Sequence, residues 1–199
     1  MTPLVPFLCL RAAYGIDRLS AIAAARAGVM RARAIFAVLL TAAVVAPAAA
    51  SSWSFDRLMA RVDTRVLGGE WIVSQFPGGA TICQNGLGVG FLIPTPKLEY
   101  TEARFNHETG GFDIYGQPAL VLPDLIVLLE SPLYAYSQVP REIRAVVARD
   151  YSLAATFNGA PAEGIAGVAY DQEDAFFAPF VGMDRVERPG PHVSIFVRR

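Results

Sequence analysis

The chain has few of the residues that build metal sites, disulfide networks and nucleic-acid-binding surfaces. Its 199 residues include two cysteines, two histidines and a single lysine, Lys97. Cys9 lies in the N-terminal segment that we expect to be removed, so Cys83 has no partner for an internal disulfide. We predict that Cys83 is a small buried residue in a strand. Nucleic acid is not expected as a partner, because clustered basic residues are needed to displace phosphate counterions.

Recognisable catalytic motifs are also missing from the sequence. No serine lies in a G-x-S-x-G context, and neither histidine belongs to an H-E-x-x-H pattern. A G-x-G-x-G run at residues 86–90 is followed by strand-forming residues, whereas a phosphate loop needs a helix at that point. The sequence therefore predicts no catalytic residue, no metal site and no cofactor.

An apolar segment near the N-terminus indicates the cellular compartment in which the protein acts. Two arginines precede an apolar run from Ala34 to Ala46, and a proline and three alanines follow it. These are the three parts of a secretory signal, and the run is shorter than the ~20 residues of a membrane span. We predict a signal peptide at Met30–Ala50, a periplasmic or secreted protein of bacterial type, and no stable membrane span in the mature chain.

The segments on either side of this signal differ in character. Residues 1–29 fit neither a signal nor a core element, so we interpret them as an upstream extension from a misassigned start; a long n-region or an organellar presequence is the alternative. Residues 51–199 contain twelve basic and seventeen acidic residues, a net charge of −5. Their length suits a single domain with one core.

The start of that domain carries apolar residues at helical spacing. Ser54 is a plausible N-cap, and Gly68 and Gly69 supply a left-handed stop. We therefore predict an amphipathic helix at 54–67 and strands from residue 70 onward. The apolar stripe of the predicted helix comprises Phe55, Leu58, Met59, Val62 and Val66.

After residue 70, short apolar segments alternate with turn residues. Asn85-Gly86 and Asn158-Gly159 are dipeptides typical of two-residue hairpin loops. The segment 123–131 is continuously apolar and fits either a strand buried on both faces or a short buried helix, and 140–150 fits a short helix. The pattern predicts a mainly β fold, an antiparallel sandwich or small barrel with an N-terminal helix. The predicted strands are 71–76, 80–84, 87–93, 98–105, 111–115, 151–157, 164–170, 175–181 and 192–198.

Aromatic residues supply the candidate binding surface. Phe176, Phe177 and Phe180 cannot all point to one face of a strand, because neighbouring side chains point in opposite directions. We predict that they form an exposed patch that binds a protein partner or a small apolar ligand, or that mediates self-association. The sequence thus favours an exported, non-enzymatic binding protein.

The alternative from a different class is a periplasmic hydrolase whose site forms only in three dimensions. It would be favoured by a cavity that holds two or more of Glu99, Glu102, His107, Asp124 and His192.

The run Gly69-Glu70-Trp71, which follows Phe55-Asp56, resembles the G-x-W strand opening of the lipocalins. In that family the Phe-Asp and G-x-W elements are closer together, and its Thr-Asp-Tyr motif and C-terminal helix are missing here. The resemblance covers a few residues and implies a second alternative, a lipocalin-like carrier of a small ligand.

Overall fold

The structure, a computed structural model, describes residues 4–27, 30–85, 99–130, 139–159, 167–170 and 178–199. The chain divides into two compact units, Met1–Trp53 and Ser54–Arg199. The first unit contains α1 (Leu4–Ala27) and most of α2 (Met30–Met59), which are joined by an exposed ion pair between Arg33 and Asp17. We call the second unit the sheet domain. The helix α2 runs without interruption through Pro47 and through the predicted cleavage site.

The helix predicted at 54–67 is two helices. Residues 54–59 are the last turns of α2, and α3 (Thr64–Gln75) starts after a short break. Asp63 caps α3, since its Oδ1 accepts a hydrogen bond from the backbone N–H of Arg65 (2.7 Å), so the predicted cap at Ser54 is wrong.

The helix stop predicted at Gly68 and Gly69 is wrong because tertiary packing decides the backbone conformation there. Gly68 and Gly69 are buried inside α3, which packs against the sheet, and this packing overrides their weak helix propensity. The strand predicted at 71–76 is consequently helical. Trp71 also belongs to α3, so the G-x-W residues do not open a strand.

Seven strands form one mixed sheet in the order β4-β3-β2-β1-β5-β7-β6. The central strand β1 is parallel to both β2 and β5, and every other neighbouring pair is antiparallel. The predicted mainly β fold, an antiparallel sandwich or small barrel, is therefore confirmed only as a sheet-containing domain with an N-terminal helix: the sheet is mixed, and helices are too prominent for a mainly β fold. The strands are β1 (Thr81–Gln84), β2 (Thr101–Asn106), β3 (Gly111–Ile114), β4 (Gln117–Pro118), β5 (Leu125–Glu130), β6 (Tyr151–Phe157) and β7 (His192–Arg198).

Five predicted strands correspond to β1, β2, β3, β6 and β7. The ambiguous segment 123–131 forms a strand, β5, and the short helix predicted at 140–150 is α4 (Arg141–Asp150). The predicted strand 87–93 and parts of 164–170 and 175–181 lie outside the described residues. Both neighbours of β1 among the described strands are parallel to it, and the hairpin predicted at Asn85-Gly86 lies partly outside the described residues.

The core lies on both faces of the sheet, which explains why β5 is continuously apolar. Leu125, Val127 and Leu129 of β5 belong to the cluster that contains Ile72 of α3. The alternate residues Ile126 and Leu128 belong to the other cluster, which contains the buried face of α4. A strand covered on both faces loses the alternation that marks a half-exposed strand. The sheet domain thus has three layers, with α3 on one face and α4 on the other.

Asn85 extends the pairing of β1 beyond its last residue. Its side chain, in a residue only 8% exposed, donates from Nδ2 to the backbone oxygen of Leu129 (2.9 Å). Its Oδ1 accepts from the backbone N–H of Leu129 (2.6 Å). The amide therefore takes the place of a strand neighbour for one residue of β5.

The two edges of the sheet are different. β4 has two residues, and its Pro118 has no N–H to donate. β6 has seven residues and contains a bulge, because Leu153 pairs with Phe196 and Ala155 pairs with Ile195, which leaves Ala154 as the extra residue.

Candidate functional site

The structure places one of the three predicted patch residues. Phe176 and Phe177 lie outside the described residues. The Phe180 side chain is 59% exposed, and Val181 beside it is 50% exposed. The backbone N–H of Phe180 donates to the oxygen of Ala169 (2.9 Å), which fixes this stretch of chain. Its role in binding stays a prediction.

A concave site lies at the end of the sheet where β1 and β5 begin and β7 ends. It is a cavity of about 440 Å³, which we call the edge pocket. Most of its lining comes from the chain between β3 and β5, and three polar residues lie where the strands meet. The lining residues are Thr81, Ile114, Gln117, Pro118, Ala119, Leu120, Val121, Leu122, Asp124 and Arg198.

An ion pair forms the polar part of the edge pocket. Arg198 Nη2 lies 2.9 Å from Asp124 Oδ1, and Arg198 Nη1 donates to the backbone oxygen of Leu122 (2.6 Å). The second carboxylate oxygen, Asp124 Oδ2, accepts from the backbone N–H of Thr81 (3.0 Å). The register brings these residues together, since Leu125 pairs with both Ile82 and Val197. The two opposite charges cancel within the pocket.

The rim of the edge pocket is apolar and exposed. Leu120 is fully exposed and Val121 is 62% exposed, and the chain leaving β4 is held by a hydrogen bond from the backbone N–H of Ala119 to the oxygen of Phe112 (2.7 Å). Nearby, Tyr115 occupies the left-handed region (φ 51°) in the two-residue turn between β3 and β4, and Gly116 follows it at φ 75°. Positive φ at both positions is typical of a type I′ hairpin, for which Asn-Gly is the ordinary choice.

A second cavity lies at the opposite end of the sheet. It has a volume of about 260 Å³ and a mainly polar lining. Asn158 Oδ1 is buried there and accepts no hydrogen bond within the part of the chain that the structure describes. The lining residues are Leu67, Thr156, Phe157, Asn158, Glu187 and Arg188.

The polar residues that would have indicated a hydrolase are dispersed. His107 lies exposed in the turn after β2, where its ring meets the edge of Phe105 at a centroid distance of 5.2 Å. His192 begins β7 and pairs with Glu130 across the ladder. Asp124 is the only one of the five candidates that lines either of these two cavities. Among the described residues, no three His, Cys, Asp or Glu side chains cluster as metal ligands.

Cys83 occupies the environment predicted for it. It lies in β1 and is 1% exposed. Burial raises the pKa of its thiol to about 12, so the thiol is protonated and a poor nucleophile at neutral pH.

Sequence reasoning did not find the edge pocket. Asp124 follows Pro123, a pattern that favours a helix start, and Arg198 reads as the polar end of a strand. Only the pairing of β5 with β7 brings the two side chains together. The sequence feature that could have indicated the pocket is a charged residue at one end of each of two apolar strands, β5 and β7.

Comparisons of this chain with protein-family models, curated proteins and solved structures find no match. The functional conclusion therefore depends on the geometry of the described residues.

Proposed function

We propose that this chain is an exported protein whose sheet domain binds a small apolar ligand in the edge pocket. The observation that carries the proposal is the composition of that pocket, in which apolar residues surround one ion pair. Ligand pockets are typically clefts of ~300–1,000 Å³ with a mainly apolar lining and a few polar groups. The edge pocket, at about 440 Å³, matches this size and this composition.

The charges in the pocket favour a ligand without net charge. Arg198 and Asp124 compensate each other, and both oxygens of Asp124 already accept hydrogen bonds. An anionic ligand would have to compete with Asp124 for Arg198, and an uncharged ligand would not. Apolar surface should therefore supply most of the affinity.

Export is supported by the arginine-flanked apolar helix at the start of the chain. The long apolar part of α2 is not buried against any described part of the chain, as expected for a segment that interacts with a membrane during export. The binding domain would then act in the periplasm or outside the cell.

A hydrolase would need two or more of its candidate residues in one cavity. Neither cavity brings two of them together, so we do not propose that activity. The lipocalin-like carrier loses its starting point, because Gly69 and Trp71 lie in a helix. A small-ligand function is kept, but it is supported by the edge pocket instead of a barrel interior.

Photolabelling tests this proposal without knowledge of the natural ligand. The probe is trifluoromethyl-phenyldiazirine, a small uncharged apolar photolabel, added to the protein as cells produce it. Peptide mass spectrometry then maps the labelled residues. We expect saturable labelling of residues 114–122, because a site fills at high probe concentration whereas nonspecific contact does not.

Two Leu→Asp variants provide a matched comparison. Leu120 lines the pocket and Leu153 lies on β6, and both side chains are exposed, so neither change should unfold the domain. Burying a leucine contributes ~1.5–3 kcal/mol, so Leu120→Asp should weaken the labelling about tenfold or more. Leu153→Asp should leave it unchanged. Labelling of 114–122 that rises linearly with probe concentration and is equal in both variants would contradict the proposal.

A further inference from the structure

We propose that α2 is retained in the chain and spans a lipid bilayer, so that the sheet domain is anchored to a membrane and not released. This inference rests on the export part of the proposed function and is independent of the ligand. It follows from the length of α2, from its surface and from the residues at its two ends.

The uncharged part of α2 is longer than the apolar run read from the sequence. The sequence pattern ends that run at Ala46, before Pro47, but the helix continues through the proline. No charged residue occurs from Ala34 to Phe55, a stretch of 22 residues. At 1.5 Å per residue this stretch is roughly 33 Å long, and the hydrocarbon core of a bilayer is roughly 30 Å thick.

From Ala34 to Ala50 this stretch contains one polar residue, Thr41, and its apolar side chains lie on all sides of the helix. A helix that is apolar all round is buried in a protein core or in a membrane. This one is long and apolar enough to cross a membrane, and none of its most apolar window is buried within the described chain. A bilayer is therefore the environment that fits it. The exposed large side chains are Ile35, Phe36, Val38, Leu39, Val44 and Val45.

Pro47 is compatible with a span. In a water-exposed helix interior, proline removes a backbone hydrogen bond and costs ~3 kcal/mol or more, which would favour a break at this point. Proline is more frequent in membrane-spanning helices than in soluble ones, because neighbouring groups satisfy the freed backbone.

The two ends of the stretch have the residues expected at membrane interfaces. Arg31 and Arg33 precede it, and Trp53, 72% exposed, lies near its other end. Arginines favour the cytoplasmic side and tryptophan favours either interface. This assignment places the N-terminal end of α2 in the cytoplasm and the sheet domain on the far side of the membrane.

The sheet domain begins where the uncharged stretch ends. Leu58, on the last turn of α2, is buried, and Arg61 donates to the backbone oxygen of Glu187 just before β7.

The test compares the natural chain with a variant whose cleavage site is blocked. Signal peptidase needs small residues at the A-x-A positions, so Ala48→Leu/Ala50→Leu prevents cleavage after Ala50. Both proteins are produced in bacteria with a C-terminal tag. Membranes are floated on a density gradient after an alkaline carbonate wash, and the intact mass of each protein is measured.

We expect both proteins to float with the membranes and to have masses that differ only by the two substitutions. A natural chain that begins at Ser51 and is soluble, beside a variant that floats, would overturn the anchor but not the export.

Protease added to spheroplasts distinguishes the remaining outcomes. The tag should be digested, because it lies outside the cytoplasm. A full-length protein whose tag is protected would contradict both the proposed orientation and the export on which the proposed function depends.

Discussion

Replacing Asn85 by alanine should destabilise the sheet domain strongly without touching either cavity. The Asn85 amide makes two hydrogen bonds to the backbone of Leu129, at 2.9 Å and 2.6 Å, in a part of the sheet that excludes water. The variant Asn85→Ala leaves the N–H and the C=O of Leu129 without these partners.

The expected loss follows from the cost of burying unsatisfied backbone groups. Each such group costs ~1–3 kcal/mol, so the two together cost roughly 2–6 kcal/mol. A domain of this size has a free energy of unfolding of ~5–15 kcal/mol, so the loss is a large fraction of its stability. Its melting temperature should fall by roughly 4–24 °C, since each kcal/mol corresponds to about 2–4 °C.

Thermal unfolding of the full chain in detergent, followed by circular dichroism, measures this loss. Gln75→Ala is the matched control, because Gln75 carries an amide that is exposed at the end of α3 and donates to the exposed Ser74. We expect the control to change the free energy of unfolding by less than ~0.5 kcal/mol. A shift for Asn85→Ala as small as that of the control would refute the role of this side chain in the sheet.

Three further predictions concern single side chains. A maleimide near neutral pH should label the buried Cys83 only after unfolding, as measured by peptide mass spectrometry; fast labelling of native Cys83 would contradict its burial. The pKa of the Cys83 thiol rises from 9.0 to about 12 on folding, so the folded state keeps the thiol proton to a higher pH than the unfolded state does. The free energy of unfolding should therefore decrease as the pH rises from 9.0 to about 12, and Cys83→Ala should remove the part of that decrease that comes from the thiol. Phe180→Asp should change the melting temperature by less than about 2 °C, since the ring is 59% exposed, whereas Phe112→Asp, at a 4% exposed ring, should lower it severely. Equal losses in both phenylalanine variants would show that Phe180 belongs to the core.

The elements that the sequence predicts correctly are those whose local pattern agrees with their final environment. α4 has an apolar face at helical spacing, and Ile143, Val146 and Val147 are buried as that spacing requires. β6 likewise ends just before the turn residues Asn158-Gly159, and β7 begins just after Pro189-Gly190-Pro191.

The errors occur where distant contacts decide the local structure. Gly68-Gly69 has the composition of a helix stop, but burial of both glycines against the sheet extends α3 past them. The sequence after β1 carries a hairpin signal, Asn85-Gly86, but the described partners of β1, β2 and β5, run parallel to it. Parallel pairing needs a long connection and leaves no local signature.

The candidate site could not be predicted for the same reason. Arg198 and Asp124 are far apart in the chain, and only the register of β5 with β7 makes them neighbours. Phe180 is exposed and Phe176 and Phe177 lie outside the described residues, so the patch inferred from these aromatic residues stays a prediction.

The bulge in β6 limits how copies of this chain can aggregate. Strands at a sheet edge can accept a strand from another molecule, which is the first step toward fibrils. At one edge of this sheet the strand is too short and contains Pro118, and at the other Ala154 interrupts the regular spacing of donors and acceptors. Copies of the protein that lie close together on a surface would therefore come into contact without adding strands to one another's sheets.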